Sequence, residues 1–438
     1  MTSSPAYRPD PKFMALGRDF SDPVDPADFP MTRLRFRNDR AAATVGLETL
    51  SDAAWIAAFG RFEPLPGNQP QPLAMRYHGH QFRSYNPDLG DGRGFLFAQL
   101  REQDSDRLLD LATKGSGQTP WSRQGDGRLT LKGGMREILA ASLLEALGVP
   151  TSRAFSLVET GEDLQRGDEP SPTRSAVLTR LSHSHIRFGT FQRQAYFERP
   201  DLITVLVDHA VETYYPHLAD APDRPAVLMR AVVEASARLL AGWMAAGSFG
   251  RQPEAVFWNL QQLAACLTLV TDQAGLLDAL NGFSDAYRDA LRAAMLRRLA
   301  LKPRDLATDM NLVSAAFKAL AAGGDTLRWE PFFFDWFGGS ASEGRAMAGP
   351  RAALYGEEAF ADFRRRLAEF EPDRPERLDH PIFAQPDPEE LLIEHVEALW
   401  APIASQDDWS PLHAKLDRIE AARRAYGFGD DGAENNAV

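Results

Sequence analysis

The stretch LLDLATKGSGQTPWSRQGDGRLTLKGGMREILAASLLEALGVP, residues 108–150, decides the fold. It opens with an apolar run, Leu108 to Lys114. With the run Phe95 to Leu100 and the polar turn around Gln103 to Asp106, this reads as a β-hairpin. Its second half reads as a helix. Ile138/Leu139, Ser142/Leu143 and Ala146/Leu147 recur at a spacing of four on one face, and Gly148, Val149 and Pro150 supply the stop. Two more strand-like runs follow, Ala154 to Glu159 and Ser175 to Arg180, so the order is strand, strand, helix, strand, strand.

Outward from this core the texture changes on both sides. The first 75 or so residues are rich in Pro and Asp and hold one predicted helix, Ser51 to Phe59, which suggests an N-terminal arm packed on the body (1–75). Beyond Asp201 the periodicity is helical almost throughout. Helices are predicted at Leu202 to Tyr215, Pro225 to Ala246, Pro253 to Leu267, Gly275 to Leu301, Leu312 to Ala322 and Pro388 to Trp400. Pro225 and Pro253 suit first helical turns, where the missing N–H is not needed. The polar end, GDDGAENNAV, is expected to fray. The fold class that follows is α+β, with a β-rich segment at 76–195 and a larger helical segment at 196–438.

A chain of 438 residues offers material for about two or three domains and needs no disulfide or metal to fold. Its 44% hydrophobic and 25% charged residues exclude wholesale disorder and a collagen-like repeat. A net charge of −13 makes nucleic acid and membrane surfaces poor partners. Cys266 is the single cysteine, which excludes a disulfide framework and a multi-cysteine zinc site and suits the reducing cytoplasm. The first residues carry acids and prolines where a secretory signal would be cationic and then apolar, and no window holds 18 uninterrupted apolar residues. A soluble cytoplasmic protein is expected.

The unusual residues lie between Tyr77 and Arg187. Leu89-Gly90-Asp91-Gly92-Arg93 is a glycine-bearing turn that leads into a strand. Such a turn lets backbone N–H groups approach a phosphate, and Arg93 adds a planar donor fork, although an Asp-Gly turn in a hairpin needs no ligand. Lys114 ends a predicted strand, and Glu137 lies 23 residues later on the next helix. A strand Lys paired with a helix Glu is how kinase-like folds fix an ammonium against nucleotide phosphates. A second tetrad of the same type, Gly125-Asp126-Gly127-Arg128, sits between them, and both could serve one polyanion. Arg180 at a strand end and Arg187 in SHSHIRFG offer two more guanidinium groups, each of which alone would be an ordinary surface charge. The pairs His78/His80 and His183/His185 have the alternate spacing of zinc ligands, but no third ligand is obvious nearby and a structural role is favoured.

Taken together, YHGHQF, LGDGR, TKGSGQTPWSRQGDGR, MREIL, LGVPTSRA and SHIRFGTF resemble the selenoprotein O family, also called the YdiU family. The resemblance is specific from about Tyr77 to Phe191 and looser through the helical half. It implies a protein-kinase-like, two-lobed fold with a small β-rich N-lobe and a larger α-helical C-lobe. It also implies a protein adenylyltransferase that binds ATP in a flipped orientation and moves AMP onto Ser, Thr or Tyr hydroxyls of proteins. The implied nucleotide contacts are Gly90, Gly92, Arg93, Lys114, Asp126, Gly127, Arg180 and Arg187, with Glu137 holding the lysine and Mg²⁺ as the expected metal.

At one place the sequence departs from that family. There the long helix leads into HGVMNTDN and then DYGP, which supply the base Asp and the metal-binding Asn and Asp. Here LLAGWMAAG passes at Gly247-Ser248 into FGRQPEAVFWNLQQLA, so the resemblance implies that base and metal ligands are missing. Nucleotidyl transfer relies on cations that neutralise charge in the transition state. Two readings therefore stand beside the transferase: a nucleotide-binding pseudoenzyme, and a helical interaction scaffold suggested by the aromatic run Trp329 to Trp336. Asp335 resembles a metal-binding DFG aspartate, but its spacing is wrong and it reads as a packing residue. The short junction predicts a distorted cleft floor with exposed apolar surface.

Overall fold

In the computed structural model, residues 4–248 and 250–428 are described; the polar end expected to fray lies outside them. Short apolar runs alternating with turns pair into one antiparallel sheet. The strands are β1 (Ser21–Pro23), β2 (Arg33–Arg37), β3 (Leu73–Met75), β4 (Gly79–Gln81), β5 (Ser84–Asn86), β6 (Leu96–Arg101), β7 (Leu108–Lys114), β8 (Leu129–Thr130), β9 (Arg153–Leu164) and β10 (Thr173–Ser182). Their order is β1-β3-β6-β7-β10-β9-β2, with β8 on β10 and β4-β5 as a separate hairpin. The β6-β7 hairpin and the helix after it stand where the sequence predicts them.

The helices are α1 (Asp39–Ala43), α2 (Asp52–Gly60), α3 (Leu131–Ala146), α4 (Phe188–Tyr196), α5 (Pro200–Tyr214), α6 (Arg224–Ala245), α7 (Gln252–Leu267), α8 (Gln273–Asn281), α9 (Phe283–Arg298), α10 (Leu306–Gly323), α11 (Trp329–Asp335), α12 (Glu343–Ala346), α13 (Ala352–Tyr355), α14 (Ala361–Leu367), α15 (Ile393–Gln406) and α16 (Ser410–Tyr426). The helix predicted from Gly275 to Leu301 is two, α8 and α9, divided at Gly282, where glycine weakens the helix by about 1 kcal/mol. Helix α15 starts at Ile393, not Pro388. Helix α4 escapes the apolar pattern because it buries glutamines, Gln192 and Gln194. None of the helices among the described residues is long and apolar enough to cross a membrane.

Residues 4–75 form more than an arm with one helix. They contribute strands to both edges of the sheet: β1 and β3 pair on one side, and β2 pairs with β9 on the other. Helix α2 forms as predicted because Ser51 caps it, its Oγ accepting the N–H of Ala54. It presses Trp55 into the sheet. That indole stacks on Phe155 at 4.9 Å, donates from Nε1 to Ser156 Oγ at 2.9 Å, and lies under the Arg37 guanidinium.

The chain divides into two compact units, with boundaries inside α3, α6, α7 and α8 and one in the loop after α3. One unit comprises 1–141, 151–231 and 258–280 and carries the sheet with its core around Trp55, Phe59, Phe97 and Phe155. It also holds α5 and all but the last residue of α8. The other comprises 142–150, 232–257 and 281–438, with a core around Met295, Ala316, Phe332 and Trp336. In this second unit Asp335 is buried, takes a two-pronged contact from Arg351 and accepts the Tyr355 hydroxyl at 2.7 Å, so it is a packing residue. After α6 the chain turns through Gly247, at φ +80°, and Trp329 closes the end by donating to the Ala245 carbonyl at 2.7 Å. Leu239 and Trp243 are the large apolar side chains exposed near that end.

Trp55→Ala removes a fully buried indole together with its hydrogen bond. The expected loss is about 3–5 kcal/mol of stability, read as a lowered urea midpoint.

Candidate functional site

Strand register sets the first elements of the site. On β7, Ala112 and Lys114 share a face, and Ala112 lies opposite Arg180 of β10, which puts both cations on that face. Helix α3 supplies the counter-ion. Thr130 caps it by accepting the N–H of Gly133, and Gly134 lets it approach the sheet, because a Cβ there would stand 2.4 Å from Leu157. One turn later Glu137 pairs with the Lys114 ammonium and reaches Arg180 at 3.6 Å. All three side chains are partly exposed, so this triad is worth little as stability. Its effect is to fix where the two cations stand.

The first Gly-Asp-Gly-Arg tetrad faces the same space. Thr119 and Ser122 donate their hydroxyls to the carbonyls of Asp91 and Gly92, and Trp121 lies so close over Gly90 that a Cβ would fall 2.3 Å from the ring. Gly90 therefore holds the turn under the indole and does not face the opening. Asp91 accepts from the Met75 N–H and pairs with Arg187 at 3.2 Å. Arg187 is further held by the His185 carbonyl and by the Tyr77 ring, 4.3 Å below its guanidinium. Burial raises the Tyr77 phenol above its ordinary value, against the pull of Arg187.

These residues enclose a cavity of about 170 Å³. Its lining includes Gly92, Arg93, Lys114, Arg180 and Arg187, five of the eight expected contacts, and also Tyr77, Asp91 and His185. Arg93 is exposed. The second tetrad is placed elsewhere. Gly127 accepts the Gly117 N–H, and Asp126 pairs with Arg166 at 2.8 Å. Burial pushes the Asp126 carboxyl up, but the bonds from Arg166 and the Arg128 N–H outweigh it and hold it below the usual range. Arg128 turns to Glu162.

Neither histidine pair forms a metal centre. Among the described residues no three His, Cys, Asp or Glu side chains converge as ligands. His78 bonds the Tyr85 hydroxyl, His80 meets Gln192, and His185 bonds Asp110. The carboxylate that lines the cavity, Asp91, is committed to Arg187, and Glu137 behind it to two cations. The described donor set does not fit Mg²⁺.

Motif reading assigns no nucleotide role to Tyr77, Asp91 or His185, which line the cavity, or to Asp110, which sits behind His185. Asp110 left one signal, an acid between Leu109 and Leu111 in an apolar strand, which is costly to bury unless partnered.

A strand lysine fixed by a helix glutamate beside arginines and a glycine turn is the arrangement by which kinase-like folds hold an ammonium against nucleotide phosphates. The family model described as protein adenylyltransferase SelO matches residues 6–249 and 248–420. Relatives named protein nucleotidyltransferase YdiU include one from Gloeobacter violaceus, 40% identical over 94% of this chain and 94% of its own length. Another from Synechococcus elongatus is 39% identical, over 93% of this chain and 94% of its own length. A Pseudomonas putida relative is 34% identical over 72% of this chain and 73% of its own length. The chain belongs to the SelO family of protein adenylyltransferases. The Synechococcus elongatus alignment spans 477 positions, more than the whole chain of 438, so dozens of positions face gaps on this side.

The His183 ring nitrogens are buried without a hydrogen-bond partner, and burial pushes its pKa down to about 4. A histidine with a depressed folded pKa contributes nothing at high pH. It destabilises as pH falls from the unfolded value of about 6.5 towards 4, by up to about 1.4 kcal/mol per pH unit. His183→Leu should therefore lose less stability than the parent between pH about 7.5 and about 5, as read by urea midpoints.

Proposed function

We propose that this chain binds ATP through Arg93, Lys114, Arg180 and Arg187 and transfers AMP to Ser, Thr or Tyr hydroxyls of other proteins. The observation that carries the reading is the triad of Lys114, Glu137 and Arg180 beside the glycine turn. ATP bears about four negative charges, and a site that positions several cations before the ligand arrives stabilises that charge without reorganising. In this reading the sheet-bearing unit is the N-lobe of a kinase-like fold and the helical unit its C-lobe. Gly90 then acts by shaping the turn. Asp126 and Gly127 act by holding the loop whose Thr119 and Ser122 brace that turn.

A second reading has a specific observation behind it: nucleotide binding with little transfer. Asp91 and Glu137 are both committed to cations, and dozens of positions in the Synechococcus elongatus alignment face gaps here. Incubation with ATP and Mg²⁺ followed by intact-mass measurement separates the two. An added AMP on the chain or on an acceptor pool supports the transferase. A thermal shift with ATP but no AMP addition supports the second reading, and no shift at all removes both. Lys114→Ala is expected to abolish the ATP-dependent shift; a shift of undiminished size would place the nucleotide elsewhere.

A further inference from the structure

The SHSH motif holds a contact that the nucleotide reading leaves unused. Asp110 lies inside β7 with 1% of its side chain exposed. One oxygen accepts from Gln99 Nε2 at 2.7 Å. The other accepts the His185 backbone N–H at 2.8 Å and faces His185 Nδ1 at 3.1 Å. No Lys or Arg pairs with it among the described residues. Gln99 is itself fixed by the Phe13 N–H at 2.7 Å, so the carboxylate cannot swing away to water. His185 lines the cavity that holds Lys114, Arg180 and Arg187.

We propose that Asp110 is a positioning residue that orients His185 towards the phosphate site, and that binding a nucleotide draws one proton onto His185. The inference rests on the nucleotide-binding reading above. Ser182 Oγ stands 3.4 Å from His185 Nδ1 and 3.5 Å from Nε2; with Nδ1–H donated to Asp110, a neutral ring has only a lone pair on Nε2, which repels a phosphate oxygen. Taking a proton from bulk solvent turns Nε2 into a donor and gives Asp110 a full counter-charge. The proton returns to solvent when the ligand leaves.

The groups facing this pair leave His185 as the acceptor of that proton. From the cavity side come the cations of Lys114, Arg180, Arg187 and Arg93 and the carboxylate of Asp91. A bound polyphosphate neutralises these cations and adds negative charge beside His185, where an imidazolium would then find a partner. From the interior come His183, His209 and Tyr214. Burial pushes both imidazoles down, His183 to about 4, and pushes the phenol up, so none of the three supplies the missing charge.

The test is calorimetric titration of ATP into the full chain at pH about 7.5, in two buffers with very different ionisation enthalpies. The parent should show an apparent enthalpy that differs between buffers in the sense of proton uptake, and tighter binding at lower pH. His185→Gln should lose the buffer-dependent part and bind about tenfold more weakly. Because the ligand is the same, its own phosphate protons cancel in that comparison. Asp110→Asn should behave like His185→Gln, and rescue of buffer dependence in Asp110→Glu would mark the carboxylate as the cause. Binding with the same enthalpy in both buffers, or buffer dependence that survives in His185→Gln, overturns the coupling and leaves the nucleotide site standing. No binding by the parent overturns both.

Discussion

Glu137 is the constraint on which the site depends. One carboxylate at the second turn of α3 is shared by Lys114 from β7 and Arg180 from β10, so three elements are tied at a single point. Two cations side by side repel each other, and without an anion between them each would swing into solvent. Glu137 lowers that cost and leaves the cationic heads at the cavity with donors still unused. The geometry is bought by backbone features more than by the ion pairs: the Thr130 cap starts the helix, and the missing Cβ at Gly134 lets it lie close on Leu157.

A second layer holds the other side of the cavity. Asp91 is to Arg187 what Glu137 is to Lys114, and the Tyr77 face adds an attraction that a carboxylate alone would not give. The loop bearing the second tetrad works from behind, through the hydroxyls of Thr119 and Ser122 and the ring of Trp121. Two look-alike tetrads thus have different physical tasks: one faces the cavity and the other braces a support.

Much of the central fold is legible in the sequence because its signals are local. The run Leu108 to Lys114, the four-residue recurrence after Met135 and the Gly148 stop each lie within one element. The strands nearest the edges are not legible, because β1 and β3 have three residues each and β2 reads RLRFR, where charges alternate with apolar residues and no run stands out. Their identity comes from distant partners. Lys114 and Glu137 can be paired from spacing, strand to next helix. Asp126 and Gly127 show what spacing cannot give: a repeated motif fixes a turn type, but its direction is set by Arg166 and Gly117. His183 and His185 look equivalent in sequence, yet one is buried without a hydrogen-bond partner and the other sits on Asp110.

Strand β2 has a consequence for how this chain is made. Its Arg35 meets Glu159 of β9, 124 residues further on. At a synthesis rate of about 5–20 residues per second, β2 emerges from the ribosome on the order of ten seconds before its partner. Throughout that interval the newborn N-terminus must stay soluble without a sheet to join. The arginines that obscure β2 as a strand, Arg33, Arg35 and Arg37, put charge on a lone edge, and charge on an edge opposes pairing with other strands.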